Sequence, residues 1–389
     1  MRKPATRVPR LVRVQTYVLR WPVRQPVRTS FGTMSDRPAV LVRIEDEEGA
    51  AGWGEAWCNF PACGAEHRAR LIETVLAPLV LGRTFAEPAA VFDLLSDRTA
   101  VLALQSGEPG PLAQAVAAVD IALHDLVARR AGQPLWQVLG GRDPQVEVYA
   151  SGINPEQPGR VVAGLRRDGW TRFKLKVGFG DALDLANLAE VRAAAGADAP
   201  LMVDANQAWD AQTAGRMAAA LAPQRLEWLE EPLRADRPAA EWQALAAASP
   251  VPLAAGENVI GEGGFATLLA TRAVAVIKPD LAKWGGVSGG ARVAARIHAA
   301  GQRWCPHYLG AGIGLLASAH LLAARGAHGG WLEVDANENP LRTLLAPALA
   351  TLESGRIALG NAPGLGVEPD LAECRRLCSD MREVEVRAG

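Results

Sequence analysis

Seven polar residues recur at nearly constant intervals along the second half of the chain, each at or close to the end of an apolar run. The intervals are 23 to 28 residues long, and the residues are Lys176, Asp204, Glu230, Glu257, Asp280, His307 and Glu333. Such an interval fits one strand, one crossover helix and two loops. If these units close into a (β/α)8-type barrel, the C-terminal strand ends bring all seven side chains to one mouth.

Three consecutive members of this series are carboxylates, namely Asp204, Glu230 and Glu257. A single acidic residue at a strand end is most often a helix cap or a surface charge. Three converging carboxylates would repel one another unless a cation lay between them, and oxygen ligands of this kind suit Mg²⁺. We therefore predict a magnesium site. Because Glu230 and Glu231 are adjacent, we expect them to face opposite ways, with only Glu230 entering the mouth.

Two lysines precede the carboxylates and share one side of a strand. Lys174 and Lys176 are two residues apart, so their side chains point the same way. Two ammonium groups held close repel each other, which favours loss of one proton and could make one lysine a base near neutral pH. A solvated edge strand would show the same Lys-x-Lys pattern. Their place in the series favours a functional interpretation.

The carboxylates are followed by an aspartate, a histidine and a further glutamate. Neighbouring strands could place Asp280 against His307, where the carboxylate would fix the imidazole tautomer and favour acid or base chemistry. Glu333, if kept protonated, could donate a hydrogen bond to a developing oxyanion. We interpret the remaining histidines as structural: His67, His124, His298, His320 and His328.

The repeated units predict eight strands alternating with alanine-rich helices. The predicted strands are 146–151, 172–177, 201–206, 228–231, 252–257, 274–280, 303–307 and 331–334. An open doubly wound sheet would also fit the alternation, but it concentrates its site at one switch point. Polar residues at nearly every strand end favour the barrel.

The first third of the chain has a different pattern. Alternating apolar residues predict antiparallel strands over 11–19, 39–45 and 50–57, and helical patterns follow over 65–80, 89–104 and 111–130. We predict an α+β capping domain over residues 1–134 and a barrel over residues 135–345. The last predicted part, residues 346–389, is rich in turns and is expected to pack back on the first domain.

Composition excludes several classes of protein. Of the 389 residues 49% are hydrophobic, and the net charge is −1, so no basic field indicates a nucleic-acid partner. We found no uninterrupted apolar run of membrane-spanning length, so we expect no membrane partner and a cytoplasmic location. The five cysteines lack metal-ligand spacing, which predicts free thiols.

Several short motifs together resemble the enolase superfamily, and specifically the mandelate-racemase group of the mandelate racemase/muconate lactonizing enzyme family. They are Phe-Lys-Leu-Lys, Val-Asp-Ala-Asn, Leu-Glu-Glu-Pro, Gly-Glu-Asn, Lys-Pro-Asp-Leu-Ala-Lys-Trp-Gly-Gly, Pro-His and Trp-Leu-Glu. The resemblance covers nearly the whole chain. It implies an α/β fold, a modified TIM barrel of (β/α)7β form with an N-terminal α+β capping domain.

The resemblance also implies roles for these residues. Mg²⁺ would bind Asp204, Glu230 and Glu257, and Lys176 would be one base, assisted by Lys174. An Asp280–His307 dyad would act on the opposite face of the substrate, with Glu333 hydrogen-bonded to the substrate carboxylate. In the muconate-lactonising and dipeptide-epimerase groups a lysine base stands where Asp280 stands here, so this chain follows the racemase pattern.

The implied first step is removal of a proton α to a carboxylate, giving a metal-stabilised enediolate. We expect this step to lead to dehydration of an acid sugar to a 2-keto-3-deoxy acid. The alternative within the family is a racemase or epimerase of a 2-hydroxy acid. A Schiff-base aldolase would leave the three carboxylates without a role. A non-catalytic binding protein is disfavoured because every expected catalytic position is filled.

The substrate is expected to be a small carboxylate, contacted partly by loops of the first domain. Candidate loops are 21–36, with Gly32 as a possible hinge, and 57–64. The candidate contacts are Trp57, Asn59, Asn206 and Lys283. A polar stretch after Glu333 could read hydroxyls or a distal carboxylate, or cap the last helix; it comprises Asp335, Asn337, Asn339 and Arg342. Similar enzymes are commonly symmetric, so we expect a homo-oligomer.

Overall fold

The structure is a computed structural model that describes residues 7–28, 32–326 and 329–389. Its strands are β1 (Leu11–Arg28), β2 (Thr33–Asp46), β3 (Ala51–Ala56), β4 (Gln145–Ile153), β5 (Phe173–Lys176), β6 (Leu201–Asp204), β7 (Trp228–Glu230), β8 (Leu253–Ala255), β9 (Val276–Ile277), β10 (Arg303–Trp304), β11 (Leu332–Asp335), β12 (Arg356–Ala358) and β13 (Asp380–Arg387).

The α-helices alternate with the strands from β4 to β11 and cluster between β3 and β4. They are α1 (Gly64–Leu71), α2 (Ala77–Val80), α3 (Pro88–Ser106), α4 (Pro109–Arg130), α5 (Leu135–Val138), α6 (Pro158–Arg167), α7 (Asp181–Ala195), α8 (Ala211–Leu221), α9 (Ala239–Ala248), α10 (Gly261–Thr271), α11 (Gly286–Ala299), α12 (Gly312–Arg325), α13 (Pro340–Leu345) and α14 (Leu371–Leu377). Shorter turns of other helical types are Ile72–Leu76, Ala222–Gln224 and Pro347–Thr351.

The N-terminal part is an antiparallel sheet covered by helices. Its strand order is β13-β1-β2-β3, and one apolar face packs on α1 to α4 in a separate core. Helix α4 is long and apolar enough to cross a membrane by composition, but 83% of its apolar window is buried inside the molecule. Its apolar character is therefore explained by its place in the core of the capping domain.

The barrel is built from eight parallel strands separated by seven helices. The strands pair in the order β10-β9-β8-β7-β6-β5-β4-β11, and helices α6 to α12 each connect one of these strands to the next along the chain. Between the two end strands, the Glu333 N–H donates to the Pro306 carbonyl across 3.3 Å. The predicted α/β fold, a (β/α)7β barrel with an α+β capping domain, is confirmed.

Apolar side chains close the inside of the barrel below the strand ends. This cluster, here called the barrel floor, comprises Tyr149, Met202, Trp228, Ala254, Val276, Cys305 and Trp331. On β5 the alternate residues Phe173 and Leu175 are buried in the main core on the outer side of the sheet. Because side chains alternate along a strand, the residues two positions beyond the floor also point inward.

The C-terminal tail returns to both other parts of the chain. Strand β12 pairs antiparallel with β4 of the barrel, and β13 pairs antiparallel with β1 of the capping domain. The expected packing of the tail on the first domain is therefore observed, although β13 itself was not predicted. The boundaries after residues 134 and 345 stay predictions. All five cysteines are free thiols, as predicted.

The predicted loop over residues 21–36 is wrong for most of its length. Strand β1 continues to Arg28 and β2 begins at Thr33, so the two strands form a long ribbon with a register shift between Pro22 and Val27. Frequent arginines and prolines hide the strand alternation in this region. Residues 29–31 lie outside the described residues. Gly32 is close to the Phe60 ring, since an added Cβ would be 2.9 Å from Phe60 Cε1.

Candidate active site

Several of the predicted site residues form the layer next above the barrel floor, here called the reactive layer. Two residues beyond Met202, Trp228, Cys305 and Trp331 the chain places Asp204, Glu230, His307 and Glu333. The register pairs Lys176 with Asp204 and Asp204 with Glu230 on successive strands. An apolar floor under a charged layer keeps water from below the site. The strand alternation therefore gathers the residues that the spacing predicted.

The three carboxylates converge as a metal site requires. One oxygen from each of Asp204, Glu230 and Glu257 lies within 4.8 Å of the others, and all three residues are buried. Glu230 Oε1 is buried without a hydrogen-bond partner among the described residues. Buried carboxylates with an unused oxygen fit a hard divalent cation that prefers oxygen ligands. The residues present thus fit Mg²⁺.

Each lysine of the Phe-Lys-Leu-Lys motif has its own partners. Lys174 Nζ donates to Glu230 Oε2 at 2.7 Å and lies 2.8 Å from Glu333 Oε1. Lys176 Nζ donates to Asp204 Oδ2 at 2.7 Å and to Asn206 Oδ1 at 2.6 Å. Burial disfavours the charge of Lys174, but the carboxylates of Glu230, Glu333 and Asp204 outweigh burial and hold its pKa well above the usual value.

Lys174 is therefore a fixed cation paired with the buried carboxylates around it, and repulsion between the lysines is not its dominant interaction. Lys176 is the more accessible of the two, with 12% of its side chain exposed against none for Lys174. This difference separates a structural lysine from one that can meet a substrate. Asn206 binds Lys176 directly, so the structure places this predicted substrate contact beside the candidate base.

His307 and Asp280 form the predicted pair. His307 Nδ1 lies 2.7 Å from Asp280 Oδ2, and His307 Nε2 lies 3.0 Å from Glu257 Oε2. Asp280 is itself held by the backbone N–H groups of Ala282 and Lys283. Burial opposes protonation of the imidazole, but the charges of Glu257, Glu333 and Asp280 outweigh it and raise the pKa of His307.

Glu333 is held by four donors, which lie on β4, on β5 and directly after β9. Tyr149 Oη and Ser151 Oγ of β4 donate to it at 2.8 and 2.5 Å. Lys278 Nζ donates to its Oε2 at 2.7 Å, and Lys174 binds its other oxygen. Burial alone would raise the pKa of Glu333, but the two lysines hold it well below its usual value. Glu333 is thus ionised, and the protonated donor considered from the sequence does not match its surroundings.

The expectation that Glu231 faces away from the site is wrong. Strand β7 ends at Glu230, and Glu231 has a φ of 38°, which breaks the alternation. The buried Glu231 carboxylate accepts hydrogen bonds from Asn258 Nδ2 at 2.9 and 3.0 Å. Burial raises its pKa well above the usual value, and the nearby charges of Glu257 and Asp204 raise it further.

The capping domain contributes two of the predicted contacts. Lys283 Nζ lies 4.8 Å from the centre of the Trp57 ring and donates to Glu257 Oε1 at 3.2 Å. Asn59 Nδ2 donates to the Leu309 carbonyl in the loop that follows His307. Trp57 and Lys283 therefore meet beside the carboxylates, whereas Asn59 ties the capping domain to the loop that carries the histidine.

The polar stretch after Glu333 divides into two roles. Asn339 caps α13, since its Oδ1 accepts from the Arg342 N–H at 3.3 Å, and its Nδ2 donates to the Gly310 carbonyl. Asp335 instead forms a buried ion pair with Arg37 of the capping domain. The helix-cap interpretation thus describes Asn339, and Asp335 belongs to the contact between the domains.

Sequence reasoning missed Lys278, Tyr149 and Arg37. The first two were within reach of the period-two rule, because Lys278 follows the floor residue Val276 by two positions and Tyr149 itself belongs to the floor. The predicted strand covered residues 274–280, whereas β9 is only Val276–Ile277. The longer prediction did not show which of its residues belong to the floor and which lie above it. No sequence pattern pointed to Arg37, because its partner, Asp335, lies in the barrel and far away along the chain.

Family models match most of the chain in two parts. Residues 12–140 match the mandelate racemase/muconate lactonizing enzyme N-terminal domain, and residues 159–373 match an enolase C-terminal domain-like model. A D-galactarolactone cycloisomerase from Agrobacterium fabrum is 30% identical over 92% of this chain and 96% of its own length.

Two solved structures extend the comparison. A mandelate racemase/muconate lactonizing enzyme from Bordetella bronchiseptica RB50 is 62% identical, with a TM-score of 0.91 over 95% of this chain and all of the other. An L-talarate dehydratase from Polaromonas sp. JS666, in complex with Mg and L-glucarate, is 27% identical, with a TM-score of 0.79 over 97% of this chain and 99% of that one.

Proposed function

This chain belongs to the mandelate racemase/muconate lactonizing enzyme family of the enolase superfamily, and from that membership we propose that it dehydrates an acid sugar to a 2-keto-3-deoxy acid. Its relatives are named as dehydratases, cycloisomerases, epimerases and racemases, so it is an enzyme of this family. The dehydration, the magnesium and the role of each residue are the proposal.

One observation carries the proposal: a candidate base stands at each end of the carboxylate triad. Lys176 contacts Asp204 and His307 contacts Glu257. Glu230 ends β7, which lies between β6, ended by Asp204, and β8, which Glu257 follows. A carboxylate substrate bound at the triad would therefore present its α-carbon between a lysine and a histidine. Bases on two sides allow a proton to leave one face and a second proton transfer to occur at the other.

In the proposed first step Lys176 Nζ accepts the α-proton. Bound at Asp204, Glu230 and Glu257, Mg²⁺ would supply positive charge that stabilises the substrate carboxylate as the α-carbon loses its proton. Lys174 and Lys278 hold the carboxylates of Glu230 and Glu333 in place, and they keep Glu333 ionised. The Trp57 and Lys283 contact covers the site from the capping domain, which helps to exclude water.

In the second step the β-hydroxyl leaves. His307 Nε2 donates a proton to the departing oxygen, the C–O bond breaks with its electron pair, and water is released. The remaining enol becomes the 2-keto-3-deoxy acid by taking a proton at the β-carbon and releasing the proton of its enol oxygen. Asp280 holds His307 through Nδ1, so Nε2 is the nitrogen directed at the substrate. The same two-base arrangement also supports the second candidate, a racemase or epimerase of a 2-hydroxy acid.

The test is a screen of acid sugars in D₂O, with magnesium, followed by NMR. Deuterium at the α-carbon reports the first step, and a keto-acid product reports dehydration. We expect both for at least one acid, and loss of both after chelation of the metal. Exchange with every hydroxyl retained would favour the epimerase over the dehydratase. Trapping of a lysine adduct by borohydride, with activity surviving chelation, would indicate an aldolase instead.

We predict that Lys176→Ala and His307→Asn each slow the overall reaction by about 10²- to 10⁴-fold, the usual contribution of one acid or base. His67→Asn, a change on the capping domain away from the site, is the matched control and should keep full activity. If both site variants exchange the α-proton at the rate of the unsubstituted protein, the assignment of the bases is wrong.

A further inference from the structure

An excess of positive charge is buried where the capping domain meets the end of β11. Arg37 of β2 donates from Nη2 to Asp335 Oδ2, and Arg342 Nη1 of α13 lies 3.6 Å from the same oxygen. The exposed side-chain fractions are 3% for Arg37, 2% for Asp335 and 12% for Arg342. Two guanidinium groups therefore share one carboxylate almost out of contact with water.

The donors of these two arginines are not all used. Arg37 Nε and Arg342 Nε are buried without a hydrogen-bond partner among the described residues. Asp335 cannot accept hydrogen bonds from both Nε–H groups, because its Oδ1 already accepts from the backbone and side-chain nitrogens of Asn337 at 3.0 and 2.7 Å. Burial lowers the pKa of Arg37 to about 9, with a further contribution from Arg342, and burial lowers the pKa of Arg342 to about 10.

The cluster of Arg37, Asp335 and Arg342 lies nearer the barrel mouth than the reactive layer, by two residues along β11. Glu333 and Asp335 are two residues apart on β11 and pair with Tyr149 and Ser151 of β4. Their side chains therefore share the inward face, about 7 Å apart along the strand. A short chain molecule bound at the carboxylate triad would extend towards the arginines if it pointed out of the barrel.

We propose that Arg37 and Arg342 bind a second carboxylate of the substrate, so that the acid sugars taken by this enzyme are dicarboxylic. An added carboxylate balances the second guanidinium and accepts from the unused Nε–H donors, in the planar geometry that arginine favours. The inference rests on the proposed function for the placement of the first carboxylate. It assigns Arg37 and Arg342 as substrate-binding residues that set specificity.

The test compares acids that differ only at the far end. Galactarate and galactonate, and glucarate and gluconate, are titrated calorimetrically into the magnesium-loaded full-length protein. A charge-assisted hydrogen bond between the second carboxylate and an arginine should make at least one dicarboxylate bind about ten-fold or more tightly than its monocarboxylate partner. Arg342→Met and Arg37→Met should remove this preference, so that the ratio of dicarboxylate to monocarboxylate affinity falls to about one.

Arg24→Met is the matched control, because Arg24 lies at the same end of the molecule with 85% of its side chain exposed. It should keep the preference. Equal affinity for both members of every pair, tighter binding of the monocarboxylates, or no binding of any acid overturns the inference. These outcomes come from the unsubstituted protein, so they do not depend on the folding of a variant. Dicarboxylate binding without α-proton exchange would instead contradict the proposed function.

Discussion

At the scale of single residues, the site is a set of buried charges that depend on one another. Lys278 shows this dependence most directly, since its fully buried Nζ lies 3.2 Å from Glu230 Oε2 and 2.7 Å from Glu333 Oε2. It also lies 5.0 and 5.4 Å from the centres of the Tyr149 and Trp228 rings. Lys278 thus links a candidate metal ligand, Glu333 and the barrel floor.

We predict that Lys278→Met lowers the free energy of unfolding by about 3–5 kcal/mol, the usual cost of removing one partner of a buried ion pair. The physical reason is that Glu230 and Glu333 lose a cation that no water can replace. Urea unfolding followed by circular dichroism measures the change. Arg160→Met, at an exposed position, is the control and should stay within about 0.5 kcal/mol. A similar small change for Lys278→Met would contradict the role given to this lysine.

At the scale of elements, the turns that end the strands decide where the carboxylates point. Strand β8 ends at Ala255, and Gly256 then adopts a φ of 141° before Glu257. An added Cβ at Gly256 would be 2.8 Å from the Lys278 backbone nitrogen. The third carboxylate therefore reaches the site through a backbone conformation that favours glycine.

We predict that Gly256→Ala weakens magnesium binding and lowers the melting temperature, because the chain must move away from β9 and carries Glu257 with it. The strained conformation alone costs on the order of 1–3 kcal/mol. Calorimetric titration with Mg²⁺ and thermal unfolding measure the two effects. The control is Gly263→Ala in α10, where an added Cβ meets nothing within 4 Å and should not reduce stability. Unchanged Mg²⁺ affinity in Gly256→Ala would show that the turn does not position Glu257.

At the scale of the whole molecule, one of the contacts that join the barrel to α5 and to the tail is made by a buried histidine. His320 of α12 accepts from the Trp136 N–H at 3.0 Å and lies 3.3 Å from the Leu365 carbonyl. Burial lowers its pKa from 6.5 to about 4. The neutral imidazole thus connects the barrel to α5 and to the returning tail.

We predict that this histidine makes the protein less stable as the pH falls from about 6.5 towards 4. In that range the unfolded chain binds a proton that the folded protein excludes, so stability is present above pH 6.5 and is lost on acidification. The shift corresponds to about 2 kcal/mol between about pH 7 and about pH 5.

His320→Gln should remove this share of the pH dependence, measured as the difference in unfolding free energy between the two pH values. His67→Gln on α1, where 32% of the side chain is exposed, is the control and should keep this pH dependence. The absolute stability of His320→Gln does not enter the comparison. An identical pH dependence in the protein with and without His320 would show that this group is not excluded from protonation.

The amino-acid sequence by itself determined the barrel, the capping domain and most of the reactive layer. Regular spacing sufficed for Asp204, Glu230, Glu257 and His307, because parallel strands of equal period must bring their ends to one mouth. The alternation of side chains along a strand also predicts that Lys278 points inward, because it lies two positions after the floor residue Val276.

Only the tertiary structure decided how the charges are paired. Glu231 turns into the site because of one positive φ. Glu333 is ionised because Lys174 and Lys278 reach it from separate elements of the barrel. Arg37 meets Asp335 across 298 positions of the chain. Pairing energies depend on distance and burial, which arise when separate elements pack together, and local sequence patterns do not contain them.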